Sequence, residues 1–373
     1  MRAGWQSKSL GEICEIERGG SPRPIREFLT TAPDGINWIK IGDATASGKY
    51  IYTTEEKIKP AGAKRSRLVY AGDFLLSNSM SFGRPYIMKV TGCIHDGWLV
   101  LRQPKVDPDY LYYALSSDLV FDQFDRLAAG STVRNLNIGL AKSVEIPFPP
   151  LPEQQRIVGI LDEAFAGIAT AKANAEKNLQ NARAIFESHL QSVFKERGEG
   201  WVENTFEDCL EAVKYTTKIQ RKEFLEGGEF PIISQEAEFI NGYWDNASDV
   251  FRVTSPVIVF GDHTQILKYI DFDFVLGADG VKLLIPKAFL NPKFFYYALR
   301  SAPLKTLGYA RHYRLLKELG IRYPGTNEQV EIVKTLDALD AEAQRLASIY
   351  ERKLTALDAL KKSLLHQAFS GNL

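Results

Sequence analysis

A long apolar stripe that occurs twice in this chain does most to constrain its fold. The segment 147–155, Pro-Phe-Pro-Pro-Leu-Pro-Glu-Gln-Gln, opens the first copy, and 323–330, Tyr-Pro-Gly-Thr-Asn-Glu-Gln-Val, opens the second. Gln154 and Gln329 occupy matching places, so the offset is 329 − 154 = 175 residues. After each opening, apolar residues recur every three or four positions, which is typical of amphipathic helices. The sequence predicts one helix over Glu153–Phe194 and another over Glu328–Phe369.

The predicted helices are too long to be buried by one small domain. At about 1.5 Å per residue, each would be on the order of 60 Å long. Each therefore needs a partner, and the other copy has a stripe of similar length that is close to a coiled-coil repeat. We expect the two helices to pair antiparallel as a coiled-coil spacer, with one domain at each end and an internal pseudo-two-fold repeat.

The segments between the helices also repeat each other. Gly4-Trp5 is matched by Gly200-Trp201, and Tyr112-Tyr113-Ala114-Leu115 is matched by Tyr296-Tyr297-Ala298-Leu299. The order of such matches is kept while their spacing drifts, as in diverged repeats with different loops. We therefore divide the chain into a first domain (1–150), a first spacer helix (151–196), a second domain (197–325) and a second spacer helix (326–373).

The first domain is predicted to be mostly β-structure. Short β-type runs alternate with Gly, Pro, Asp and Asn turns, at Ile36–Ile41, Phe74–Ser77, Ile87–Val90 and Trp98–Leu101. A helix is predicted at Pro108–Leu115, where Asp107 can cap the first turn and proline fits inside it. A second helix is predicted to begin near Asp118. The fold class is therefore α+β, with two β-rich domains that contain a few helices.

Composition excludes several classes of protein. An apolar fraction of 45% and a charged fraction of 25% are those of a globular chain, and no run is long enough to span a bilayer. The N-terminal sequence lacks the pattern of a secretory signal, so we expect a cytoplasmic protein without a membrane partner. The three cysteines are far apart and without CxxC spacing, which argues against a disulfide framework or a zinc site. A net charge of zero argues against indiscriminate coating of nucleic acid.

The sequence contains no complete catalytic motif of the kinds considered below. Gly42–Tyr50 has one residue too many for a phosphate-binding loop, and tyrosine where Mg²⁺ needs a serine or threonine hydroxyl. GxGxxG, HExxH and GxSxG patterns are absent, and the five histidines are scattered. Phe148-Pro149-Pro150-Leu151 is only superficially similar to the motif of adenine methyltransferases and is interpreted as a helix entry. We therefore predict no catalytic residue, no metal site and no cofactor for this chain.

Three segments carry a resemblance to a known family. Pro147–Asp162, Leu364–Leu373 and Trp38–Asp43, within this layout of two domains and two helices, resemble the specificity subunit of type I restriction-modification systems. The resemblance implies that each domain is a target-recognition domain for one half of a split, asymmetric DNA site, and that the helices set the distance between halves. The second helix entry departs from the pattern, with Gly325-Thr326-Asn327 in place of Pro150-Leu151-Pro152, which leaves the start of the second helix open.

The resemblance also implies partners. They are double-stranded DNA, two methyltransferase (modification) subunits and, for cleavage, restriction (translocase and nuclease) subunits. S-adenosylmethionine, ATP and Mg²⁺ would then belong to these enzymes, and this chain would be a non-catalytic recognition subunit. One alternative is the same kind of subunit in a related complex with other partner enzymes. Another is a coiled-coil scaffold with two protein-binding β-domains and no role on DNA.

Candidate DNA contacts are chosen by residue type, since phosphates attract Lys and Arg and base edges need Arg, Asn, Gln, Ser or Thr on loops. A solvated loop or a turn is the alternative interpretation of each. In the first domain we select Lys57, Lys59, Lys64, Arg65, Arg67, Asn78, Ser79, Arg84, Thr132, Arg134 and Asn135. In the second domain we select Ser234, Gln235, His263, Thr264, Gln265, Arg311, His312 and Arg314.

Overall fold

A computed structural model of the chain describes residues 4–78, 83–129, 136–196, 200–278, 280–305, 308 and 310–373. The contacts between residues divide the chain into two compact units. Unit 1 comprises Met1–Ala175 and Arg352–Leu373, and unit 2 comprises Glu176–Glu351. Each unit therefore contains one β-rich domain and a part of both long helices.

Unit 1 contains twelve described strands and six described short helices before the first long helix. The strands are β1 (Gln6–Ser9), β2 (Glu15–Arg18), β3 (Leu29–Thr30), β4 (Ile36–Ile39), β5 (Tyr50–Ile51), β6 (Glu56–Ile58), β7 (Arg67–Val69), β8 (Phe74–Ser77), β9 (Pro85–Met88), β10 (Gly92–Ile94), β11 (Trp98–Arg102) and β12 (Glu145–Phe148). The helices are α1 (Leu10–Ile13), α2 (Ile41–Ser47), α3 (Pro60–Ala63), α4 (Pro108–Leu115), α5 (Asp118–Ala129) and α6 (Ile138–Lys142).

Two five-stranded sheets form the body of the first domain. One has the order β3-β6-β4-β10-β7, and the other has the order β2-β11-β8-β9-β5. Within the first sheet β4 and β10 are parallel, with Ile39 opposite Ile94. The separate pair β1 and β12 is antiparallel, with Gln6 opposite Phe148, and joins the beginning of the domain to its end.

Unit 2 repeats this plan with fewer described strands. Its strands are β13 (Val202–Thr205), β14 (Lys218–Ile219), β15 (Phe230–Ile233), β16 (Gly242–Trp244), β17 (Val250–Phe251), β18 (Val257–Gly261), β19 (Leu267–Ile270), β20 (Phe274–Gly277), β21 (Val281–Leu284) and β22 (Gly320–Tyr323). Its short helices are α8 (Pro292–Ser301) and α9 (Tyr313–Lys317). One sheet has the order β14-β20-β15-β16, with β17 also on β20, another has the order β19-β18-β21, and β13 pairs with β22.

The long helices are α7 (Leu151–Lys195) and α10 (Thr326–Ser370). Helix α7 begins at Leu151, two residues before the predicted start at Glu153, so that Pro152 lies in its first turn. A proline in the first helical turn loses no hydrogen bond, since the amides of that turn have no partner within the helix. Helix α10 begins at Thr326, two residues before its predicted start, and this answers where the second helix begins.

Within each unit the two long helices run antiparallel. In unit 1 the Lys172 ammonium lies 2.8 Å from the Asp358 carboxylate, while Arg156 near the start of α7 donates to the carbonyl of Leu373. In unit 2, Arg183 lies 2.8 Å from Glu351. The predicted stripe is buried at Ile157, Leu161, Ile168, Ala175, Ala182, Phe186 and Leu190 on α7, and at Leu336, Ala343 and Ala368 on α10. On α10, Leu365 and Phe369 are also buried, whereas Leu360 of the stripe is exposed.

Most of the predicted short elements of the first domain are confirmed. The Asp107 side chain accepts hydrogen bonds from the amides of Asp109 and Tyr110, each 3.0 Å long, so that α4 is capped as expected. Strand β9 is shifted, beginning at Pro85 instead of Ile87. The three cysteines are buried free thiols. None of the described helices combines the length and the apolar composition that crossing a membrane requires.

Candidate functional site

A cleft of about 930 Å³ lies in the first domain, at the carboxyl ends of the parallel strands β4 and β10. Lys40 follows β4, and the turn His95-Asp96-Gly97 follows β10, so both reach the same edge of the sheet. The loop after β2 forms the opposite wall. We refer to this cleft as cleft 1. The residues that line cleft 1 include Ser21, Arg23, Pro24, Arg26, Trp38, Lys40, His95 and Asp96.

The loop and the turn of cleft 1 are fastened to each other. A side chain at Gly19 would place its Cβ 2.0 Å from the carbonyl oxygen of His95, so only glycine permits this approach. The Ser21 hydroxyl donates a 2.5 Å hydrogen bond that lowers the pKa of Asp96, and the Arg23 guanidinium 3.3 Å away lowers it further. Burial lowers the pKa of His95, and its Nδ1 accepts from the Gly97 amide at 2.9 Å. Cleft 1 therefore has an ionised carboxylate and a neutral imidazole at neutral pH.

The second domain has a cleft of about 570 Å³ at the corresponding place, which we call cleft 2. It lies at the carboxyl ends of the parallel strands β15 and β20, where Ile233 is opposite Leu276. Its lining residues are Lys218, Gln220, Arg221, Gln235, Glu236, Asp262, His263, Ala278, Gly280, Val281, Lys282 and Arg311. Gln235 and Glu236 follow β15, and Ala278 and Gly280 follow β20, as Lys40 follows β4 and as His95 and Asp96 follow β10 in cleft 1. Asp262, His263 and Arg311 line cleft 2 in addition.

Two backbone hydrogen bonds beside cleft 1 recur beside cleft 2. Asn78 follows β8, and its backbone amide donates to the carbonyl of Gly97. Asp262 follows β18, and its backbone amide donates to the carbonyl of Gly280. Beyond the next loop, the Leu136 amide donates to the carbonyl of Asn78 at 2.9 Å, and the His312 amide donates to that of Asp262 at 2.7 Å. The backbone frame beside the two clefts is therefore the same at these positions.

The side chains of the two copies differ. Cleft 1 combines the cations Arg23, Arg26 and Lys40 with the aromatic rings of Trp38 and His95. Cleft 2 instead has two carboxamides, an imidazole and four cations, from Gln220, Gln235, His263, Lys218, Arg221, Lys282 and Arg311. In both clefts the lining cations outnumber the carboxylates, which favours an anionic ligand. Two copies with the same frame and different hydrogen-bonding groups can bind two different parts of such a ligand.

Three of the predicted basic residues of the first domain, Lys59, Arg65 and Arg67, contact residues next to the segment that forms the wall of cleft 1. Lys59 donates to the carbonyl of Glu27, and the Arg65 guanidinium lies 5.6 Å from the ring centre of Phe28. Arg67 donates to the carbonyl of Arg18 at 3.3 Å. Lys64 and Arg84 are exposed, and Lys57 is half-buried on β6.

Asn78 lies 1% exposed beside the turn of cleft 1, where its Nδ2 donates to the Asp96 carbonyl at 2.9 Å. It therefore helps to hold the turn in place. The other predictions in this domain, Ser79, Thr132, Arg134 and Asn135, lie outside the described residues.

In the second domain the structure brings Gln235, His263 and Arg311 together in cleft 2. Thr264 is exposed, and its hydroxyl donates to the carbonyl of Gln235 at 2.6 Å. Gln265 and Arg314 lie elsewhere on the surface of the domain. Ser234 and His312 are each 1% exposed and lie inside the domain, where the His312 ring nitrogen Nδ1 is 3.0 Å from the carbonyl oxygen of Asp262.

Several residues that line the clefts were not among the sequence predictions, namely Arg23, Arg26, Lys40, Lys218, Gln220, Arg221 and Lys282. A short repeat in the sequence could have indicated the segments that contain Arg26 and Arg221. Arg26-Glu27-Phe28-Leu29 is matched by Lys222-Glu223-Phe224-Leu225, a short copy that marks the same segment in both domains. Both copies form a single turn of 3₁₀ helix beside the cleft, at Ile25–Glu27 and Arg221–Glu223.

The same buried glutamine joins each domain to its long helix. Gln154 Oε1 accepts from the Asp107 amide at 2.8 Å, and its Nε2 donates to the Pro149 carbonyl at 2.8 Å. Gln329 accepts from the Asn291 amide at 2.7 Å and donates to the Pro324 carbonyl at 2.9 Å. Eight residues further along each helix, Asp162 accepts from the Tyr113 hydroxyl, and Asp337 accepts from the Tyr297 hydroxyl. Tyr113 and Tyr297 thus join each domain to its long helix.

Lys268 is buried in the second domain and holds the loop that follows Gln235. Its side chain is 4% exposed, and its ammonium donates to the carbonyls of Glu238 and Phe239 and to Asn241 Oδ1. Burial lowers the pKa of Lys268 to about 8, although the nearby carboxylates of Glu236 and Glu238 act in the opposite direction. The buried ammonium therefore fixes three points of one loop.

This burial predicts a pH dependence of stability. The ordinary pKa of lysine is 10.5, so between about pH 8 and 10.5 the unfolded chain binds more protons at this position than the folded one. The contribution of Lys268 to the free energy of unfolding should thus rise with pH, by about 2 kcal/mol between roughly pH 7.5 and 9.5. Urea denaturation at the two pH values should show this increment in the wild type and in the exposed control Lys334→Met, and lack it in Lys268→Met. Equal increments in all three proteins would contradict the prediction.

Comparison with protein families gives one matching model, described as "Type I restriction modification DNA specificity domain", over residues 2–180 and 198–351. Among curated proteins, the chain is 24% identical to the type I restriction enzyme MjaIX specificity subunit of Methanocaldococcus jannaschii, over 82% of this chain and 78% of that protein. It is also 24% identical to the putative MjaX specificity subunit of the same organism, over 99% of this chain and 93% of that protein.

Solved structures share the fold over the whole chain. One, from work on complex assembly and conformational transition of the type I R-M system, superposes with a TM-score of 0.82 at 19% identity and covers 100% of this chain and 99% of its own. The HsdS subunit from Thermoanaerobacter tengcongensis superposes with a TM-score of 0.62 at 19% identity, covering 100% of this chain and 98% of its own. The predicted layout of two β-rich domains and two long helices is therefore confirmed.

Proposed function

The chain belongs to the family of type I restriction-modification DNA specificity proteins, and we propose that it recognises a bipartite, asymmetric DNA site with one domain for each half. The duplicated cleft is the observation that carries this proposal. Each copy has the same backbone frame and an excess of cations, as a site for the DNA backbone requires. Each copy has a different set of base-reading groups, so the two halves of the site would differ.

The domains of this proposal are residues 1–150 and 197–325, and the spacers are residues 151–196 and 326–373. Two readers on helices of fixed length bind two short sequences a fixed distance apart, as the two subunits of a symmetric dimer do for a palindrome. Here one chain carries both readers, and because they differ, the site is asymmetric. The helices α7 and α10 would set the gap between its halves.

The partners in this proposal are two methyltransferase subunits and the restriction subunits. The chain directs them to the DNA site and takes no part in the chemistry, so that S-adenosylmethionine, ATP and Mg²⁺ bind to the partner enzymes. In the described part of the chain, no group of three or more His, Cys, Asp or Glu side chains could hold a metal ion. The proposal places the protein in the cytoplasm, together with its DNA.

Methylation of one split motif is the expected result when the chain is co-expressed with its methyltransferase partner. Sequencing of modified bases across the host genome should reveal two short, different half-sites separated by a constant gap. Expression of the methyltransferase without this chain provides the control and should leave the motif unmodified. The absence of a motif, or methylation of a continuous palindrome, would count against the proposal and favour a scaffold without a role on DNA.

A further inference from the structure

Gln235 lies at the edge of cleft 2 with its carboxamide held in one orientation. Its Oε1 accepts a 3.2 Å hydrogen bond from the backbone amide of His263. A backbone amide can only donate, so the oxygen of the carboxamide must face it and the nitrogen must face away. The carbonyl of Gln235 also accepts from the Thr264 hydroxyl at 2.6 Å, which holds the backbone of this residue in the same place.

Gly280 forms a wall against this carboxamide. Its φ of +77° is in the left-handed region, and a Cβ there would lie 2.6 Å from Gln235 Oε1 and 2.9 Å from a ring carbon of His263. No other residue type could occupy this position without displacing the glutamine side chain. The carboxamide of Gln235 is therefore oriented by the His263 amide and by Gly280, while the Thr264 hydroxyl holds the backbone of Gln235.

The nitrogen of this carboxamide remains available. In the part of the chain that the structure describes, Nε2 of Gln235 forms no hydrogen bond, and the side chain is partly exposed within the cleft. Arg311, exposed in the same cleft, likewise has no ion pair with another described residue. Cleft 2 thus offers a fixed amide donor next to a guanidinium that can reach a phosphate.

We propose that Gln235 determines specificity in the second domain by donating from Nε2 to the keto oxygen of a guanine or thymine. This inference rests on the proposed function. A free glutamine usually reads adenine with both ends of its carboxamide, the oxygen accepting from the adenine amino group. Here the oxygen is engaged with His263 and closed off by Gly280, so the contact is reduced to a donor. At the major-groove position where guanine and thymine carry the keto oxygens O6 and O4, cytosine and adenine carry amino groups, so a lone donor aimed at that position favours the keto bases.

The test uses the complex of the chain with its methyltransferase partner and two variants of nearly the same size. Gln235→Glu keeps the acceptor for the His263 amide but replaces the donor with a carboxylate, which accepts from amino groups. Gln235→Met removes the donor without adding an acceptor. Binding is measured on DNA duplexes that carry each of the four bases in turn at each position of the second half-site.

Wild-type complex should bind the duplex with the keto base at one position about tenfold more tightly than the duplexes with cytosine or adenine there. Gln235→Met should lose this preference, and Gln235→Glu should reverse it in favour of an amino base. Preferences in the first half-site should stay as in the wild type. Gln180→Glu, an exposed position on α7, controls for the added negative charge and should keep the wild-type preferences.

Three outcomes would overturn the inference while leaving the proposed function intact. They are unchanged preferences in both variants, equal weakening on all duplexes, and a change confined to the first half-site. A wild-type complex without any bipartite preference would instead refute the proposed function itself. The two failures are therefore distinguishable in one set of measurements.

Discussion

Replacement of Gln154 by leucine should lower the free energy of unfolding by about 2–6 kcal/mol. The side chain is 2% exposed and satisfies the amide of Asp107 and the carbonyl of Pro149. Leucine fills a similar volume but leaves both backbone groups buried without a partner, at about 1–3 kcal/mol each. Urea denaturation followed by circular dichroism measures the loss.

The neighbouring residue provides a matched control. Gln155 is exposed on the same helical turn, so Gln155→Leu changes composition identically and should alter stability by no more than about 0.5 kcal/mol. Gln329→Leu should reproduce the loss in unit 2, where the glutamine also donates to the Phe289 carbonyl at 3.0 Å. Equal stability of Gln154→Leu and Gln155→Leu would show that the buried glutamine does not hold the domain to its helix.

Removal of seven residues from each long helix should shorten the gap between half-sites and leave both half-sites unchanged. The ion pairs Lys172–Asp358 and Arg183–Glu351 show which parts of α7 and α10 face each other, so 173–179 and 353–359 form a matched deletion. A loss of seven residues preserves the repeat of the apolar stripes. Seven helical residues span about 10 Å, which corresponds to a gap shorter by up to about three base pairs.

Sequencing of modified bases in the host genome measures the gap. Lys177→Ala, an exposed substitution within the deleted segment, is the control and should keep the wild-type motif. A deletion variant that methylates with the original gap would refute the spacer role of the helices. A variant whose bases change in either half would show that the helices take part in reading the DNA.

The repeat was the strongest signal in the sequence because its elements are local. The stripes of α7 and α10 follow from spacing alone, and the cap of α4 follows from Asp107 and Pro108 next to each other. The predicted run at Ile87–Val90 missed the start of β9 because Pro85 is a poor strand residue by propensity. Its place at the beginning of a strand is set by pairing with β8, which the local sequence does not encode.

The clefts could not be predicted from the sequence because they are formed by contacts between residues that are far apart in the chain. Ser21 meets Asp96 across 75 residues, and Gln235 meets His263 across 28. The sequence predicted His263 and Gln235 separately, by residue type. The segments 21–26 and 218–221 have no periodicity, and only the short repeat that starts at Arg26 and Lys222 marks their place. Burial of Gln154 was equally hidden, since glutamine is mostly a surface residue and its partner Asp107 lies 47 positions away.

The duplicated glutamine and aspartate have a consequence for how such proteins can change. Gln154 and Asp162 on α7 offer a domain the same acceptors and donors as Gln329 and Asp337 on α10. A domain transferred from one helix to the other would again meet a glutamine and, eight residues further along, an aspartate that can accept from its tyrosine hydroxyl. The two helices are thus alike in these contacts, although Gln329 has an additional bond to the Phe289 carbonyl. If each domain reads one half-site as proposed, exchange of whole domains would change the half-sites while the shared glutamine and aspartate contacts are kept.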